Sequence, residues 1–84
     1  MTGKKILIVE DDRSLADVLA YNLRQAGYEV LMSSDGQDGL NRARLKTPDL
    51  VILDLMLPVL DGLEVCRALR ADSATRDILV LMLT

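Results

Sequence analysis

The chain has 84 residues, half of them apolar, and a formal net charge of −3. That is enough for one domain and too apolar for a disordered chain. With Tyr21 and Tyr28 as the only aromatic residues and no basic run, it is a poor candidate for base stacking on single strands or for direct DNA binding. Cys66 is the single cysteine and histidine is absent, so there is no internal disulfide and no ordinary zinc site. The expected setting is reducing and cytoplasmic.

In chain order, the opening "MTGKKILIVEDD" places only four apolar residues between two lysines and three acids. This is too short for a signal-peptide core or a membrane span. Residues 5–9, "KILIV", read as a strand buried on both faces. Asp12 or Ser14 can cap a following helix, whose predicted apolar stripe is Leu15, Val18, Leu19, Leu23 and Ala26. Gly27 is its expected left-handed stop. "EVLMSS" at 29–34 is a second short strand. Asp35 is the expected cap of a second helix containing Leu40 and Ala43, and Pro48 prevents its continuation. "LVIL" at 50–53 is the third strand. "DLMLPVLDG" follows as a loop punctuated by Pro58 and Gly62. Asp61 can cap a third helix with Leu63, Cys66, Ala68 and Leu69 on its apolar side. "DILVLMLT" at 77–84 is the predicted fourth strand.

Strands alternating with helices imply an α/β fold with a parallel sheet covered on both faces. Right-handed crossovers can cover both faces only if the strand order reverses once, giving the economical order 2-1-3-4. All strand ends of one polarity then lie along one edge. Glu10 and Asp11 end the first strand, Asp54 the third and Thr84 the fourth, so three carboxylates and a hydroxyl are expected to converge. Two unit charges about 5 Å apart repel by roughly 3 kcal/mol at an effective dielectric of 20, so such acids either take up protons or hold a cation. Oxygen-only donors favour a hard divalent ion, and a pocket with few direct ligands suits Mg²⁺ better than Ca²⁺.

"ILIVEDD", "VILDLMLPVLDG" and a strand ending in threonine, in this order and spacing, resemble the receiver domain of two-component response regulators. The closest likeness is to the transcription-factor subgroup with D-L-M-L-P after the third strand. The resemblance covers all 84 residues. It implies a flavodoxin-like fold in which Asp54 is the phosphoacceptor and Thr84 the switch hydroxyl. It also implies Mg²⁺ held by Asp11 and Asp54 directly, by Glu10 through water and by the backbone carbonyl of Met56. The implied partner is a sensor histidine kinase. The implied role is signalling, with no catalysis beyond the domain's own phosphorylation and dephosphorylation. Asp12 is expected to be a helix cap, Cys66 a packing residue, and Pro58 and Gly62 parts of the loop geometry.

In the family the fold continues with a fourth helix, a fifth strand and a fifth helix, and a lysine near that strand pairs with the phosphoryl group. Residues 1–84 are therefore expected to be the N-terminal portion of a single receiver domain. Lys46 is expected at the opposite edge of the sheet from the acids. The fourth strand, an apolar edge, is a template for pairing, so a homodimer through it and the uncovered sheet faces is expected. The competing expectation is a fragment that folds by self-association and has no phosphotransfer. A haloacid-dehalogenase-type phosphatase would need a second aspartate where Met56 stands. A flavin phosphate would meet acids in the loop after the first strand.

Overall fold

A computed structural model describes residues 3–83. The elements run β1 (Lys5–Val9), α1 (Arg13–Gln25), β2 (Glu29–Ser33), α2 (Gly36–Lys46), β3 (Leu50–Asp54), α3 (Gly62–Ala71) and β4 (Leu79–Leu83). The four strands form one parallel sheet in the order β2-β1-β3-β4, which is the expected one.

Side-chain alternation along β1 divides the core into two layers. Leu7 and Val9 point toward α2 and α3, where they pack with Leu40, Ala43, Val51, Leu53, Val65 and Leu69. Ile6 and Ile8 point the other way and pack with Val30, Ile52 and the α1 alanines Ala16 and Ala20. This is why "KILIV" shows no polar alternation: both faces of the strand are covered. Leucines such as Leu7, Leu53 and Leu69, fully buried, each contribute about 1.5–3 kcal/mol of transfer free energy.

The helix signals are read locally. Asp12, Asp35 and Asp61 accept from the backbone N–H of Leu15, Asp38 and Glu64 at 3.2, 2.7 and 3.0 Å, so each helix starts on an aspartate cap. Asp12 rather than Ser14 fills this role in α1. α1 ends at Gly27, whose φ of +99° a residue with a Cβ rarely adopts. Gly27 N–H donates to the Arg24 carbonyl and Tyr28 N–H to that of Leu23, which together make a Schellman stop.

Three expectations need correction. The buried face of α1 is set by Ala16 and Ala20, with Leu19 and Leu23 partly buried against the core; Leu15 and Val18 are exposed. Small alanines let the helix lie close to the β-branched sheet face, so the stripe is rotated toward them. In α3, Val65 joins Leu69 as a fully buried residue while Leu63 is half exposed. The fourth strand begins at Leu79, not at residue 77. Arg70 donates to the carbonyls of Arg76 and Ile78 at 2.7 Å, and the buried Thr75 hydroxyl donates to the Leu69 carbonyl at 2.8 Å. These bonds hold residues 72–78 as a turn. Among the described residues no helix is long and apolar enough to cross a membrane.

Candidate functional site

The β1–β3 register aligns Ile8 with Ile52 and Val9 with Leu53. The next residues, Glu10 and Asp54, therefore leave the sheet side by side at the same edge. Glu10 N–H donates to the Ser33 carbonyl at 3.0 Å, extending the ladder to β2 by one residue and pinning the start of the acidic loop. One carboxylate oxygen each from Glu10, Asp11 and Asp54 lies within 4.8 Å of the others. Asp11 is exposed, Asp54 half-buried and Glu10 only 5 % exposed.

The ion pairs among the described residues are Arg13–Asp17, Arg42–Asp38 and Arg44–Asp72; none involves the three acids. The strain shows at Glu10, whose pKa is raised from the ordinary value of 4.5. Burial is the main cause; the Asp12 N–H, donating to its Oε2 at 3.1 Å, opposes it, and the nearby carboxylates of Asp54 and Asp11 add to it. Three mutually repelling oxygen donors and no paired cation fit a hard divalent ion. Donors on opposite sides of Mg²⁺ stand about 4.2 Å apart. Oxygens gathered within 4.8 Å of one another are close enough to face a single ion.

A carboxyl with a raised folded-state pKa binds its proton more tightly in the folded chain than in the unfolded one. Its stabilising contribution is full below its ordinary pKa and is lost as pH rises through the raised value. Glu10→Gln, which keeps an acceptor for Asp12 N–H, is therefore expected to raise the thermal midpoint of the metal-free chain at neutral pH. The gain is about 4–8 °C for each kcal/mol of penalty removed. Well below pH 4.5 the variant and the parent should melt together. Circular-dichroism melts in chelator check this, and equal midpoints at neutral pH would count against it.

The loop after β3 is built around Asp54. Met56 N–H donates to Asp54 Oδ1 at 3.3 Å, Leu60 N–H to the Pro58 carbonyl at 2.8 Å, and Gly62 N–H to the Leu55 carbonyl at 3.0 Å. The Met56 side chain is 80 % exposed, and its thioether is too soft for Mg²⁺, so only its backbone carbonyl suits the ion. A Cβ on Gly62 would run into the Asp54 carbonyl and lie 2.9 Å from Leu55 Cα. Gly62 thus does more than shape a turn: it lets α3 begin against the backbone of Asp54. Val59 has φ +71°, a left-handed conformation that a β-branched residue strongly disfavours. Nothing in the bare sequence marks that position.

Lys46 lies at the far edge, as expected: its carbonyl accepts from Lys5 Nζ at 3.3 Å beside the start of β1. Thr84, the expected switch hydroxyl, lies outside the described residues. Cys66 is half-buried on α3 with a free thiol.

Comparison with known proteins follows the same lines. The alkaline phosphatase synthesis transcriptional regulatory protein PhoP of Bacillus subtilis is 49% identical over 79 residues, which are 94% of this chain and 33% of that protein. The DNA-binding dual master transcriptional regulator RpaA of Synechocystis is 50% identical over 80 residues, 95% of this chain and 33% of that protein. The chain thus spans about a third of the length of these curated relatives. Among solved structures, the receiver domain of a sensor histidine kinase from Pseudomonas aeruginosa superposes with a TM-score of 0.94 at 35% identity, covering 99% of this chain and 68% of that one. That structure has a magnesium ion coordinated in its active site cleft. Residues 6–84 match the response regulator receiver domain, and on that match this chain belongs to the receiver-domain family.

Proposed function

We propose that the chain is the phosphoacceptor segment of a two-component response regulator and that it works in the cytoplasm. The observation that carries this is the convergence of Glu10, Asp11 and Asp54 within 4.8 Å at the C-terminal edge of β1 and β3. Asp11 and Asp54 would hold Mg²⁺, with Glu10 acting through water and the Met56 carbonyl completing the protein's share. When bound, Mg²⁺ neutralises phosphoryl oxygens and so lets a carboxylate approach phosphorus. A carboxylate oxygen of Asp54 attacks the phosphorus of a phosphohistidine on a sensor histidine kinase. The O–P bond forms as the P–N bond breaks, and the imidazole leaves with the electron pair. The Thr84 hydroxyl bonds a phosphoryl oxygen of the product. The role is that of a signalling phosphoacceptor without activity on other substrates and without direct contact between this segment and nucleic acid. The test is incubation with Mg²⁺ and a small phosphodonor, reading the intact mass for one added phosphoryl group that Asp54→Ala lacks.

A second reading concerns assembly. On the edge strand β4, Leu79 is 69 % and Leu81 52 % exposed, both on the sheet face that carries α1. Apolar side chains on an unpaired edge favour association with a second copy. The 84-residue chain is expected to be a dimer at micromolar concentration, and Leu81→Lys to shift it toward monomer. Light scattering checks this; a folded monomer of the parent chain at that concentration would rule it out. A dimer that takes up no phosphate would favour the self-associating fragment over the phosphoacceptor.

A further inference from the structure

The loop that carries Met56 is held at both ends by its own bonds, at Asp54–Met56 and at Leu55–Gly62. Its middle has one bond of its own, Leu60 N–H to the Pro58 carbonyl at 2.8 Å across Val59, and is also held from outside. Gly36, the first residue of α2, donates its N–H to the Pro58 carbonyl at 3.3 Å. A Cβ on Gly36 would run into the Leu60 carbonyl oxygen and stand 2.6 Å from its carbonyl carbon. Pro58 and Leu60 are the two neighbours of Val59, the residue with φ +71°. Gly36 therefore grips the chain on both sides of the one left-handed residue in this loop.

A valine leaves that conformation unless its surroundings fix it. The path of the backbone from Met56 to Leu60 thus depends on contacts to Pro58 and Leu60, and Gly36 supplies one to each. Gly36 itself is fixed by its place in the first turn of α2. The Asp35 side chain caps that turn through the Asp38 N–H at 2.7 Å, the shortest of the three caps.

We propose that Gly36 is a positioning residue for the metal site: the N-terminus of α2 clamps residues 56–60 and so sets the direction of the Met56 carbonyl. This rests on the reading of that carbonyl as a Mg²⁺ ligand. Gly36 touches neither metal nor phosphate and acts through the loop. Its place on the sequence, 20 residues from Met56, gives no hint of the link.

The test uses the 84-residue chain. Amide resonances of residues 56–62 are compared in the metal-free state, and Mg²⁺ affinity is measured by calorimetry. Gly36→Ala is expected to shift the loop resonances and to weaken Mg²⁺ binding by about tenfold or more, the size of effect seen when a ligand's supporting group is lost. Asp35→Ala, which frays the first turn without a clash, should act in the same direction. Asp35→Asn should restore parent behaviour, since asparagine caps as well as aspartate. Leu45→Gly loosens the exposed last turn of α2 and should lower stability while leaving loop resonances and Mg²⁺ affinity as they are.

A folded Gly36→Ala chain with unshifted loop resonances and parent affinity overturns the proposal. So does a Leu45→Gly chain that loses as much affinity. If Gly36→Ala does not fold, the Asp35→Ala and Asp35→Asn pair decides. A parent chain that takes up no Mg²⁺ sinks the metal reading instead, and the metal-free loop resonances still tell whether Gly36 holds the loop.

Discussion

Asp54→Ala and Asp54→Asn are both expected to reduce phosphoryl incorporation to background, while Asp11→Asn only slows it. Asp54 stands at the end of β3, the central strand beside β1, and is half-buried. Glu10 is sequestered, with one oxygen engaged by Asp12 N–H, and Asp11 belongs to the exposed loop. Asp54 is thus the carboxylate that combines a rigid mount with partial access. The asparagine variant keeps an acceptor for the Met56 N–H and nearly the same volume, so its loss of function cannot be blamed on the loop. Asp54→Glu sharpens the point. It retains a carboxylate but moves it by roughly one bond length, and misplacement of about 1 Å at a reacting centre costs on the order of 100-fold in rate. Intact-mass time courses with a small phosphodonor check all four variants. Undiminished labelling of Asp54→Asn would remove Asp54 from the centre of the mechanism.

Much of this was legible in the residues because the signals are local. An apolar run such as "KILIV" has no polar face to spare, and the fold buries both sides of it. Asp12, Asp35 and Asp61 announce helix starts because a short carboxylate reaches an N–H two or three residues on. Alternating strands and helices, with one reversal, then place Glu10 beside Asp54 by topology alone. What the residues did not show is tertiary. Leu15 and Val18 look like core by spacing, but the contact surface of α1 is decided by what the sheet offers, and Ala16 and Ala20 win. Val59 in a left-handed conformation and Gly36 against Leu60 arise from two segments meeting in space. No period or cap encodes such a meeting.

Asp11→Ala is expected to weaken Mg²⁺ binding by at least about 30-fold, while Asp12→Asn leaves it unchanged. A carboxylate about 4 Å from a divalent ion is attracted by roughly 2 kcal/mol in bulk water and roughly 8 kcal/mol at an effective dielectric of 20. Asp11 is exposed, so the lower figure governs, and about 2 kcal/mol corresponds to about 30-fold in affinity. Asp12 carries the same charge one residue away, but its side chain accepts from the Leu15 N–H as the cap of α1, and asparagine does this equally well. The pair therefore separates a ligand from mere negative charge in the neighbourhood. Removing Asp11 also removes one repelling neighbour of Glu10, so the metal-free chain should melt higher at neutral pH even as it loses the ion. Calorimetric titration at fixed ionic strength measures the first effect and thermal melts in chelator the second. Equal losses of Mg²⁺ affinity from Asp11→Ala and Asp12→Asn would mean that the ion responds to the acidic loop as a whole and has no dedicated ligand there.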